Sequence, residues 1–203
     1  MADDSGAAPA AQIDWLTTTS ATSVSPVLHQ WQKRSGSRFG RWLFARAVCR
    51  RAPYFATIAP RFVELAPAIC RVTIPKRRAV ENHLGTVHAL AIGNLCELAA
   101  GMVTEVTIPA SMRWIPRGMT IEYLRKADGD VTATARLDKN EWRDAGNVGV
   151  PVTVVDARGE EVVRAVITMY VSPRNAAGSR QVHSRARGTA DAGKPEAKKR
   201  DAA

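Results

Sequence analysis

Asn82, Gly85, His88, Ala89 and Glu97 are the residues of this chain whose types and spacing could do chemistry. Asn82-x-x-Gly85-x-x-His88 reads as a polar, glycine-bearing turn before an apolar run, and that run carries a carboxylate nine residues after the histidine. A helix start presents backbone N–H groups that no intrahelical carbonyl takes, and such groups can polarise a carbonyl or hold a developing oxyanion. The N–H groups around His88 and Ala89 are placed for that task. Glu97 lies among Leu95, Cys96, Leu98 and Ala99. Partial desolvation there would raise its pKa and fit it to act as general base or nucleophile. The alternative, a helix-face carboxylate paired with an arginine, stays open on the sequence alone. Nine residues turn a helix through two and a half revolutions, so His88 and Glu97 cannot share a helix face. His88 is therefore expected in the turn before the helix.

The elements that must position these residues follow from apolar periodicity. Val87 to about Val103 places Leu90, Ala91, Leu95, Leu98, Ala99 and Met102 three or four apart and is apolar nearly all round, which predicts a buried helix. Phe62 to Ile74 alternates as one strand, with Pro67 tolerable at an edge or bulge. After Pro116, four strands are expected: Arg117 to Arg125, Val131 to Leu137, Val148 to Val155 and Val162 to Val171. Asp128-Gly129-Asp130 and Asp156-Ala157-Arg158-Gly159 supply turns. The order is strand, long helix, four antiparallel strands, an α+β arrangement. Pro26 to Arg51 has helical spacing broken near Gly36 and Gly40, and forms a basic helical lead-in over residues 24–53. Residues 1–23 and 174–203 are too polar to build a core and are expected to be disordered, leaving 54–173 as the domain.

Charge narrows the partners. The formal net charge is +10, yet residues 52–173 hold fourteen bases against thirteen acids, while 26–51 hold seven bases and no acid. The domain itself is nearly neutral, so no specific nucleic-acid groove is expected; the basic flanks could touch anionic surfaces weakly. Cys49, Cys70 and Cys96 are odd in number and widely spaced, which suits reduced, buried thiols in a cytoplasmic protein. The N-terminal residues lack the basic and apolar regions of a secretion signal. His88, Asn94, Glu97 and Glu105 interrupt the longest apolar stretch and argue against a spanning helix. No metal or cofactor is expected. Cys96 reads as a core filler beside Glu97 and His83 as a loop residue, while Trp114 and Trp142 either line a pocket or pack structurally.

Element order and loop together resemble the hotdog thioesterase superfamily of the phenylacetyl-CoA and 4-hydroxybenzoyl-CoA type. Those proteins carry Asn, Gly and His-Gly-Gly before the helix and an Asp or Glu nine residues after the His, matched here by Asn82, Gly85, His88 and Glu97. Tyr123-Leu124-Arg125 is similar to the strand that follows, and the likeness covers about Tyr54 to Ser172. The lead-in Asn-His-x-Gly-Thr-x-His-Ala resembles that of an uncharacterised hotdog subgroup. The resemblance implies an antiparallel sheet of five or six strands wrapped around the central helix. It also implies a homodimer or homotetramer in which Glu97 meets a helix start from another subunit, and hydrolysis of acyl-CoA. Glu97 would be base or nucleophile, Ala89 N–H the electrophile, and Asn82 or His88 would hold water or steady the loop. Gly85, Arg136 and Lys139, with Arg143, are candidates to contact the substrate; for the three basic residues solvent-facing charge is the plain alternative. Ala89-Leu90 stands where the family has two glycines. A non-catalytic module binding acyl groups or partners, and a 3-hydroxyacyl thioester dehydratase using His88 and Glu97, are the other readings.

Overall fold

The computed structural model describes residues 25–137 and 145–174. The ends expected to be disordered, and Lys139, Trp142 and Arg143, lie outside the described residues. Two helices come first, α1 (Pro26–Arg34) and α2 (Arg38–Arg51), followed by a 3-10 turn at Pro53–Ile58. Pro26 at the first helical position has the φ a helix needs, and the Ser37 hydroxyl caps α2 by accepting from Gly40 N. Strands β1 (Arg61–Ala66) and β2 (Ile69–Ile74) precede the long helix α3 (Ala89–Thr107), and β3 (Met112–Tyr123), β4 (Val131–Arg136), β5 (Gly146–Val155) and β6 (Glu161–Pro173) follow it. All pairings are antiparallel, in the order β1-β2-β4-β5-β6-β3.

The expected α+β hotdog architecture is present. Helix α3 touches all six strands, and fourteen of its nineteen residues are buried. By length and apolarity alone it would cross a bilayer, but the sheet encloses it. Its Leu95, Leu98 and Val103 pack in one cluster with Val72, Val131, Val152 and Ile167 from the sheet.

Three details depart from the sequence expectation. The single strand over Phe62 to Ile74 is a hairpin, because the chain reverses at Pro67-Ala68, where Ala68 adopts φ 71°. Thr107 Oγ1 accepts from Ala68 N at 2.9 Å, so the end of α3 fixes that turn. Next, β3 does not start after Pro116 but runs through it. It is an edge strand with a bulge between Pro116 and Gly118, where a missing N–H disturbs little. Finally, the four C-terminal strands are not a simple meander: β3 pairs with β6, and the Leu124–Asp130 segment crosses back to β4. That segment is anchored where Val87 N donates to Ala127 O, so it runs beside the loop that precedes α3.

The helical lead-in packs on the domain core. Trp31 and Phe44 meet edge-on at 5.2 Å between ring centres, and Phe44 meets Phe62 of β1 at 5.0 Å. Such pairs are worth about 0.5–1.5 kcal/mol each beyond their buried area.

Candidate functional site

The loop before α3 is built by Asn82. Its Oδ1 accepts from Leu84 N at 2.9 Å and from Thr86 N at 3.1 Å, and its own N–H donates to Thr86 O at 2.9 Å. Gly85 takes φ +74°, a value that costs other residues strain, and its N–H donates to Asn82 O. These bonds occupy Asn82 Oδ1 within the loop, so the side chain steadies the turn.

His88 is the N-cap of α3, as the geometry of the nine-residue spacing required. Its N–H donates to Val80 O at 2.8 Å, and its ring Nδ1 accepts from Leu90 N at 3.1 Å. The expectation of several available N–H groups is thereby narrowed. His88 N and Leu90 N are taken, and Ala89 N is the donor left at this helix start without an acceptor among the described residues. The His88 side chain is exposed.

Glu97 is half-buried on α3 and makes no ion pair with another described residue. It stands between Gly93 and Gly101, four residues to either side, on the helix face that meets β3. A Cβ on Gly93 would come within 3.3 Å of Ile121 Cδ1, and one on Gly101 within 2.8 Å of Trp114 Cη2. The glycines let the strand approach while Glu97 keeps its side chain between two close contacts. Sequence reading missed this Gly-x3-Glu-x3-Gly pattern, although its period of four was legible. Leu90, seven residues before Glu97 and so on the same face, is 72% exposed, and Met119 and Tyr123 on β3 are 45% and 49% exposed. These exposed side chains and Glu97 share the side of the molecule where α3 meets β3.

Tyr123 ties β3 to the start of α3 by donating its hydroxyl to Ala89 O at 3.1 Å. Burial, and then the neighbouring Cys96, push its pKa upward. On the other side Asn94 is buried and donates to Thr57 Oγ1 at 3.3 Å, while Arg77 donates to Thr57 O. Trp114 Nε1 donates to Glu105 Oε2 at 2.8 Å, which makes this residue a strut between α3 and β3. Cys96 is fully buried, and burial drives its thiol up to about 12, so it is a core residue and no nucleophile.

The remaining predicted residues are not brought together on one chain. Glu97 lies eight residues from Ala89, about 12 Å along the axis. Arg136 ends β4 opposite Ile69, next to the C-terminal end of α3, where Leu137 N reaches Ala68 O. The loop and Arg136 are thus separated by most of the helix, roughly 28 Å. Arg78, unremarked as a site residue in the sequence, is exposed in the short turn Arg78–Val80 that leads into the loop. Among the described residues no cluster of His, Cys, Asp and Glu could hold a metal.

Comparison with known proteins agrees with this architecture. The model of a domain of unknown function, DUF4442, matches residues 40–171. A structural-genomics crystal structure, target APC5556, is 49% identical, with 73% of this chain and 98% of that one aligned and a TM-score of 0.65. The Pseudomonas aeruginosa protein PA5026, described as "Protein of Unknown Function" and "Probable Thioesterase", is 23% identical over 64% of this chain and 94% of its own, at a TM-score of 0.58. The Haemophilus influenzae thioesterase HI1161 is 13% identical over 63% and 87%, at 0.55. No curated protein matches the chain. A family match over most of the domain, joined to a sheet-wrapped helix shared with thioesterase hotdog proteins, makes this chain a member of the DUF4442 family built on the hotdog fold.

Proposed function

We propose that this protein is a cytoplasmic acyl-CoA thioesterase that works as a homodimer. The observation that carries the reading is the presence, on one helix, of an Ala89 N–H at its start and a half-buried Glu97, neither with a partner among the described residues. In the reaction Ala89 N–H holds the thioester carbonyl oxygen as negative charge develops on it. Glu97 takes a proton from water, whose oxygen attacks the carbonyl carbon. The carbon–sulfur bond then breaks, and the proton passes to the departing thiolate to give the carboxylic acid and free coenzyme A. Because donor and carboxylate are about 12 Å apart along α3, one subunit supplies the Ala89 end and its partner the Glu97 side chain. The exposed edge of β3, twelve residues long, is the surface through which two copies join. Leu90, Met119 and Tyr123 receive the acyl chain, and Arg78 beside the loop contacts the coenzyme A phosphates in place of Arg136.

The test is release of free thiol from a panel of short, long and aromatic acyl-CoAs. Glu97→Gln should lower kcat by about 10²–10⁴-fold with little change in binding. Full turnover by Glu97→Gln sinks the mechanism. A second reading, an acyl-binding module without turnover, draws on Ala89-Leu90 in place of two glycines and on the Leu90 N–H spent on His88. Tight acyl-CoA binding by wild type with no thiol released would select it.

A further inference from the structure

A second face, different in chemistry from the surroundings of Glu97, is formed by α2, the 3-10 turn and the start of β1. Helix α2 turns Phe44, Ala45 and Gly40 to the core and leaves Phe39 66% and Trp42 51% exposed, with Tyr54 of the 3-10 turn 71% exposed. Phe39 and Trp42 stack at 5.6 Å, and the Arg46 guanidinium sits 5.1 Å from the Trp42 ring centre. Beside them runs an open groove of about 550 Å³. It is lined by Pro53, Ala56, Ala59 and Pro60 and by Arg46, Arg50 and Arg61. No Asp or Glu occurs between Asp14 and Glu64, and none of the three arginines pairs with a carboxylate among the described residues.

From this arrangement we infer that the α2 face docks on an anionic phospholipid surface. Exposed Trp, Phe and Tyr beside unpaired arginines match an interface with hydrocarbon below and anionic headgroups around it. The apolar lining residues Pro53, Ala56, Ala59 and Pro60 suit hydrocarbon, which a nucleic acid does not offer. The aromatics stand out around the groove rather than closing over it, which suits a surface better than one enclosed fatty acid. The sequence left this open because the arginines of residues 26–51 scatter around a helix; burial of Phe44 and Ala45 selects which of them face outward.

Cys49 lines the groove and is half-buried, whereas Cys70 and Cys96 are buried, so Cys49 reports on this face alone. Full-length protein should float with phosphatidylcholine–phosphatidylglycerol vesicles, not with phosphatidylcholine alone, and release as salt rises. On the anionic vesicles, maleimide labelling of Cys49 should slow several-fold. Arg46→Glu with Arg50→Glu should weaken flotation by about tenfold or more, and Phe39→Ser with Trp42→Ala, which keeps every charge, should weaken it too. Both pairs are exposed, and an unchanged melting temperature and rate on a soluble acyl-CoA show that they fold. Flotation with undiminished Cys49 labelling, or flotation indifferent to both variants, overturns the proposal in favour of the basic tail. Absence of flotation, equal flotation with neutral vesicles, or preferential binding of RNA also overturns it. Failure of hydrolysis would leave the flotation outcome untouched.

Discussion

At Asn82 one side chain carries the geometry of the whole loop, since its Oδ1 accepts from two backbone N–H groups. Replacing it with alanine strands those donors, and the cost is about 1–3 kcal/mol. Asn82→Ala should therefore lower the melting temperature by several degrees, while Asn82→Asp, which keeps the acceptor, should recover most of it. Chemical denaturation of the three proteins decides the point. Cys96 makes a prediction about pH. Its thiol is raised from an ordinary value of 9.0 to about 12, so the folded state favours the protonated form. Stability from this group is complete below about pH 9 and declines as pH rises toward 12, because the unfolded thiol ionises first. Cys96→Ala should flatten that alkaline decline relative to wild type in melts between pH 8 and 11.

Helix α3 and strand β3 act as one element through the glycines that flank Glu97. Gly101 faces Trp114, whose ring is held by its bond to Glu105 and cannot retreat freely. Gly101→Ala should cost about 1–3 kcal/mol through overpacking. It should also push β3 outward and change the KM for long acyl chains more than for acetyl-CoA. A melting temperature equal to wild type would mean that the ring moves aside. The elements themselves were largely legible in the sequence: α3, β4, β5 and β6 fall within a few residues of where periodicity placed them. The β1–β2 hairpin was not, because its turn uses Pro67 and an alanine at positive φ in place of the usual glycine, and is fixed by Thr107 from 39 residues away. Pro151 likewise sits inside β5, outward-facing, just past Val152, where the β4–β5 pairing ends.

For the whole molecule, the proposed division of the site between subunits has a direct test. Ala89→Pro deletes the free N–H at the first helical position, where proline is well tolerated, and His88 at φ −66°, ψ 138° already has the conformation a following proline demands. The variant should fold normally and lose about 10²–10³-fold in kcat. Refolded as an equal mixture with Glu97→Gln, it should regain about a quarter of wild-type activity, since half the dimers form and each has one intact site. A site contained in one chain would show no recovery.

Sequence by itself determined which residues could do chemistry and that they stand on a loop and a buried helix. Residue type and local spacing decide capping, periodicity and the impossibility of His88 and Glu97 sharing a face. Tertiary structure decided the rest, because it depends on contacts between distant residues. It spent Asn82 on the loop and left Ala89 N–H without an acceptor among the described residues. It set β3 beyond β6, brought β3 against the glycines that flank Glu97, and put Arg136 at the far end of α3. It also turned an arginine-rich lead-in with no periodic charge into a face with an inside and an outside.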